Sequence, residues 1–205
     1  CVITAAMAEG TGVESFSQYY PDRFFDVGIA EGHAVSMAGG MAKQGLNPVF
    51  AVYSTFLQRG YDMLFHDIAL QHLHVVLAVD RAGLVGPDGA THHGVADVGY
   101  LSQIPHMTIF APASFLELSE MLEEAVFSVD GPVAVRYPRG CQGAYMGGWN
   151  HLPAVRLREG TDVTLVSYGT LVNETLAAAE RLAEQGIRAE VLKLNQIAPL
   201  PRCEV

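Results

Sequence analysis

The chain has 205 residues, 50% of them apolar and 17% charged, with 21 glycines. Its formal charge of −10 sets 12 Lys and Arg against 22 Asp and Glu; a field of that sign repels nucleic acid and anionic membrane surfaces, and no apolar run reaches the ~18–20 residues of a membrane span. Cys1, Cys141 and Cys203 are odd in number, far apart and without a CxxC pair, so the sequence predicts free thiols in a reducing cytoplasm rather than a disulfide framework or a zinc site.

In chain order, residues 2–6 and 23–28 read as short strands. Residues 31–44 read as a helix stopped by Gly45. A strand over 48–53 leads into a helical run over 57–72, whose apolar residues recur at three- and four-residue steps. Residues 75–80 are apolar up to a closing Asp80, the pattern of a central parallel strand, and a Gly-rich loop follows over 81–94. A strand over 107–111 precedes a helix over 114–128, with Ser114 as N-cap and Glu117 completing a capping box. Residues 132–137 form the last strand of this series. Such alternation predicts an α/β fold, a parallel sheet with helices on both faces.

Gly143, Gly147, Trp149 and Pro153 mark a linker. After it, a strand (162–168), a helix (173–185) and a strand (189–194) begin a second α/β unit too small to bury a core alone. The expectation is one domain over 1–145, then a linker with an incomplete second domain over 146–205. The chain opens on Cys1 rather than Met, and it is expected to be part of a longer one. Its uncovered apolar surface is expected to drive self-association.

Four stretches carry the chemistry. In DVGIAEGHAV (26–35), Glu31 stands at a predicted helix start. It is either a helix-end charge, worth ~0.3–1 kcal/mol, or a working group. In YSTFLQR (53–59), Tyr53 and Phe56 at a strand end could stack a flat heterocycle or fill the core, with Arg59 as an anion or ring contact. In DRAGLVGPDGATHHG (80–94), Arg81, Asp88, His92 and His93 share one long loop, with Arg suited to phosphate and His to proton transfer. No carboxylate or thiol stands at ligand spacing from the paired histidines, so no metal ligand is expected. In RYPRG (136–140), Arg136 and Arg139 flank a proline, as a rigid phosphate clamp or as surface charge. Neither GxxxxGK[ST] nor a GxGxxG after a strand is present.

Together, RFFDVGIAEGHAV, YSTFLQRGYD, VDRAGLVGPDGATHHG and AVRYPRG resemble the transketolase-like thiamin-diphosphate enzyme family. They resemble in particular the branch that condenses pyruvate, with loss of carbon dioxide, and glyceraldehyde 3-phosphate to 1-deoxy-D-xylulose 5-phosphate. The resemblance implies a pyrimidine-binding domain and the start of the family's C-terminal domain. In this family the acid of the AE-x-H block faces ring nitrogen N1′ of the cofactor's aminopyrimidine and promotes loss of the thiazolium proton. Carried over, that acid is Glu31, in a dry pocket with a raised pKa expected from burial. Phe56 is implied as the platform under the pyrimidine, with Arg59 nearby. Tyr53, Arg81 and Arg139 are implied as the anchor of the acceptor's phosphate, and Asp88 with His92 as the pair handling acceptor hydroxyls and protons.

Two departures stand out. The residue after the acid is Gly32, where the family usually has Gln. The GDG…N block that holds diphosphate and Mg2+ in the family's N-terminal domain is absent from these 205 residues. The resemblance therefore implies half an active site, completed in cis or by a separate chain, assembly as a homo-oligomer, and an isolated chain without activity. A transketolase, a 2-oxoacid dehydrogenase β-subunit-like component and a non-catalytic partner subunit are the alternatives.

Overall fold

The computed structural model describes residues 1–202; Cys203 lies outside the described residues. Seven strands form the main sheet: β1 (Val2–Thr4), β2 (Phe24–Asp26), β3 (Val49–Tyr53), β4 (Val76–Asp80), β5 (Thr108–Phe110), β6 (Val133–Arg136) and β10 (Gln196–Ala198), in the order β10-β5-β6-β4-β3-β1-β2. The first six in the chain are parallel, as the alternation predicts. The exception is β10, which runs antiparallel to β5. β4 is central and wholly buried, which explains why its sequence shows no polar alternation.

The faces of β4 and β6 divide the core. Leu77, Val79 and Ala134 pack with Ala34, Val35 and Ala38 of α2 (Glu31–Lys43). Val76, Val133 and Val135 pack with Met121 and Ala125 of α6 (Phe115–Phe127) on the other side. Short helices α1 (Glu14–Tyr19) and α5 (Asp97–Leu101), with no counterpart in the sequence reading, lie in the connections.

The helix expected over 57–72 is not one helix. The chain turns from β3 into α3 (Ser54–Leu57), a 3-10 turn (Gln58–Gly60), α4 (Tyr61–Met63), a π segment (Leu64–Ile68) and a 3-10 turn (Ala69–Gln71). The physical reason is its close approach to α2. A Cβ on Gly60 would lie 2.8 Å from Val35 Cγ2, and one on Gly39 would lie 3.0 Å from the Asp67 carbonyl oxygen. Adjusting the pitch keeps the apolar side chains Leu57, Leu64 and Ile68 in the core.

In the C-terminal part, β8 (Val163–Tyr168) and β9 (Ala189–Leu194) are parallel and joined through α7 (Val172–Glu184). This is the expected unit, with one addition: β7 (Ala154–Arg158) pairs antiparallel with β9. A fully buried ion pair joins this part to the first, Lys193 Nζ donating to Glu117 Oε1 at 2.6 Å. The Tyr145 hydroxyl donates to the same oxygen at 3.0 Å.

Candidate functional site

The chain goes from β1 to an edge strand, β2, then returns to place β3 on the other side of β1. Such a reversal opens a crevice at the carboxyl ends of the strands, the usual ligand position in sheets of this kind. A cavity of about 770 Å³ lies there, lined by residues 6–10 after β1, Tyr53 at the end of β3, Asp80 and Arg81 at the end of β4, and Tyr137 and Arg139 after β6.

Arg81 is buried, with its backbone at φ +57°, a conformation uncommon for a residue with a Cβ. Its backbone N–H donates to Asp80 Oδ1 at 2.6 Å; its guanidinium donates to Asp80 Oδ2 at 2.6 Å, to the Gly10 carbonyl at 2.8 Å and to Asp88 Oδ2 at 3.1 Å. Its Cζ lies 3.7 Å from the centroid of the Tyr53 ring, a cation–π contact. Arg139 Nη1 donates to the other oxygen of Asp88. One carboxylate thus sits between two guanidiniums. Burial pushes the Asp80 carboxyl above its ordinary value, the Arg81 charge opposing it, and burial likewise raises the Tyr53 hydroxyl.

The loop that carries Asp88 is pinned at its neck. Gly83 and Gly94 exchange backbone hydrogen bonds of 2.7 and 2.8 Å. Gly94 has to be glycine, because a Cβ there would lie 2.4 Å from both the Arg81 carbonyl oxygen and Ser54 Oγ. Thr55 Oγ1 ties down the tip by donating to the Thr91 carbonyl at 3.2 Å. His92 then meets the aromatic pair: its ring is 5.3 Å from Phe56 and 6.3 Å from Tyr53, which themselves stack at 5.8 Å and 22°.

Glu31 opens α2 and is 3% exposed. The resemblance implies a dry acid with Arg59 nearby. Arg59 Nη1 donates to Glu31 Oε1 at 2.7 Å, from a side chain that is 55% exposed. The Arg59 guanidinium also lies 5.0 Å from the centroid of Phe56. A flat, donor-rich cation is thus held between an aromatic face and a buried carboxylate.

The predicted site residues therefore form one connected series: Glu31–Arg59–Phe56–Tyr53–Arg81–Asp88–Arg139, with His92 against the aromatic pair. Asp88 and His92, implied together for the acceptor's hydroxyls and protons, do not bond to each other. Asp88 faces the two arginines, while Thr91 Oγ1 is 3.0 Å from His92 Nδ1. Arg136 points elsewhere, its Nε donating to buried Asp97 at 2.8 Å. Sequence reasoning missed Gly10 and Asp80. A Cβ on Gly10 would lie 1.8 Å from the Tyr53 hydroxyl, a long-range fit with no local signal. Asp80 was visible as the acid that closes the wholly apolar run of β4. Among the described residues no group of three His, Cys, Asp or Glu could hold a metal, and no helix is long and apolar enough to cross a membrane.

The family model described as transketolase, pyrimidine binding domain, matches residues 1–142. This chain belongs to that transketolase family. The transketolase C-terminal domain model matches residues 153–204. The 1-deoxy-D-xylulose-5-phosphate synthase of Thermomicrobium roseum is 54% identical over 205 residues, covering 98% of this transketolase-family chain and 33% of that protein. The 1-deoxy-D-xylulose-5-phosphate synthase 1 of Geobacter sulfurreducens is 52% identical, covering 98% and 32%. The chain thus spans about a third of the length of these curated relatives. Among solved structures, a split gene transketolase described as an inactive β4 tetramer is similar with a TM-score of 0.84 and 28% identity, over 97% of this chain and 66% of that one. Transketolase from Campylobacter jejuni has the same fold, with a TM-score of 0.88 at 21% identity over 98% of this chain and 33% of that one.

Proposed function

We propose that this chain supplies the pyrimidine side of the active site in a thiamin-diphosphate enzyme that condenses pyruvate, with decarboxylation, and glyceraldehyde 3-phosphate to 1-deoxy-D-xylulose 5-phosphate. The observation that carries this reading is the connected series from Glu31 to Arg139 across the carboxyl ends of β3, β4 and β6. The identity of about 50% with curated synthases of that name supports it. When bound, thiamin diphosphate supplies the electron sink for decarboxylation and carbon–carbon bond formation. Glu31 and Phe56 would hold its aminopyrimidine; the Arg59 guanidinium, itself a flat donor group lodged between these two side chains, supports that fit.

On this reading Glu31 holds a proton at ring nitrogen N1′, and Phe56 supports the ring. Arg59 gives up its bond to Glu31 to admit it. Arg81 and Arg139 bind the acceptor's phosphate, with Tyr53 holding Arg81 in place. Asp88 and His92 orient the acceptor's hydroxyls. Residues 1–145 form the pyrimidine-binding unit, and 146–205 open the C-terminal one. The diphosphate and Mg2+ are held outside these residues, in cis or, as the split gene relative suggests, by another chain. Exposed Ile29, Leu84 and Val95 near the site favour a homo-oligomer that covers them. On this reading the enzyme works in the cytoplasm, at the head of isoprenoid and thiamin biosynthesis.

The test is turnover of the holoenzyme with pyruvate and glyceraldehyde 3-phosphate, against ketose phosphates as donors. Glu31→Gln is expected to lower kcat by roughly 10²–10⁴, the range for a positioned proton-transfer group. Unchanged turnover would remove Glu31 from the chemistry, and preference for a ketose phosphate would make the enzyme a transketolase.

A further inference from the structure

We propose that Met63 is a positioning residue for Glu31, acting through Gly32; this rests on the role given to Glu31 above. A Cβ on Gly32 would lie 2.0 Å from Met63 Cε and 3.8 Å from the Arg59 carbonyl oxygen. The Met63 methyl group therefore occupies the space that any side chain at position 32 would need. On the neighbouring contact, a Cβ on Gly60 would lie 2.8 Å from Val35 Cγ2 and 3.8 Å from the Glu31 carbonyl oxygen. Residues 59–63 thus lie close against the start of α2 at two points, and Arg59 reaches from the same stretch to the Glu31 carboxylate at 2.7 Å.

This contact matters because the carboxylate has little else to fix it. Among the described residues Arg59 is the one side chain that hydrogen-bonds it, and Arg59 is more than half exposed. On the proposed function that bond opens when the pyrimidine enters. From then on the carboxylate is placed by the backbone of its own turn, which Met63 holds through Gly32. A thioether suits the task, being unbranched and able to fill an irregular notch. Displacing a reacting group by about 1 Å can cost on the order of 100-fold in rate, so a contact one residue from the acid has ample leverage.

The test is a double-mutant cycle in the holoenzyme, with Gly32→Ala, Met63→Ala and both together, and with Met63→Leu as the conservative variant. Three quantities are read: the thermal midpoint of the cofactor-free protein, the dissociation constant for thiamin diphosphate, and the rate at which the bound cofactor's thiazolium C2 proton exchanges into D2O. Gly32→Ala is expected to slow exchange by roughly 10-fold or more. The double variant is expected to recover most of that loss, and Met63→Leu to stay near the parent. Glu31→Gln is the control. If it slows exchange while the Met63 variants shift only the thermal midpoint, Met63 is packing and the proposal is overturned with the Glu31 reading intact. Failure of the double variant to recover exchange overturns it equally. If Glu31→Gln leaves exchange unchanged, the Glu31 reading falls and the proposal with it.

Discussion

Tyr53 belongs to both halves of the candidate site because β3 ends where the two meet. Its ring stacks with Phe56 and also carries the Arg81 guanidinium. Arg139 differs from Arg81 in freedom: it is 48% exposed, and its recorded partner is Asp88. Arg139→Met is therefore expected to raise KM for the phosphorylated acceptor by about 10–100-fold with kcat little changed, since a hydrogen bond to a charged group contributes ~1.5–3 kcal/mol and uniform binding appears in KM. Steady-state kinetics with varied acceptor measures this; a fall in kcat at constant KM would count against it. The individual residues of this series were legible in the sequence as types at strand ends. Their pairing was not. The resemblance gives Asp88 and His92 a shared acceptor role but carries no sign that Asp88 bonds arginines from two strand ends. The Glu31–Arg59 pair spans 28 positions, beyond any local spacing rule.

Periodicity served best for elements that pack on one partner. α6 follows its expected span, and Ser114 Oγ accepts from the Glu117 backbone N–H at 3.0 Å as its N-cap. The rest of the expected capping box is altered. Glu117 Oε2 accepts instead from the Ala113 N–H at 2.8 Å, and its Oε1 takes Lys193. The signature was correct for the helix start and silent about a lysine 76 positions away. Ser114 also donates to the Gly147 carbonyl at 2.6 Å, so Ser114→Ala is expected to cost about 1–2 kcal/mol, read as a lower denaturant midpoint. A change within a few tenths of a kcal/mol would show that the cap is dispensable. The 57–72 segment was legible as helical and not in its pitch, because the cause is a neighbour: α2 presents Val35, Gly39 and backbone at distances that a regular helix cannot accommodate.

At the scale of the molecule, three tyrosines, Tyr100, Tyr137 and Tyr145, are raised well above the ordinary phenol value by burial, with Asp97, Asp80 and Glu117 respectively adding to it. The folded state then keeps protons that the unfolded chain releases. Their contribution to stability is complete below the unfolded value of ~10 and is lost as pH rises beyond it. Alkaline titration is expected to show these phenols ionising together with loss of circular dichroism; ionisation of all three while the fold persists would refute it. The alternation of strands and helices made the parallel sheet legible, but the sequence reading ended at residue 194 and so missed β10. That short strand pairs Gln196 with Phe110 and Ala198 with Ile109, covering an edge that would otherwise present unpaired backbone. It also means that the covalent connection over 141–153 is not what keeps the two parts together. A single protease nick at exposed Met146 is expected to yield two fragments on a denaturing gel and one species on a native one, held by β10 and the Lys193–Glu117 pair. The molecule is stitched after the linker as well as through it, so cutting the thread at one place leaves the seam closed.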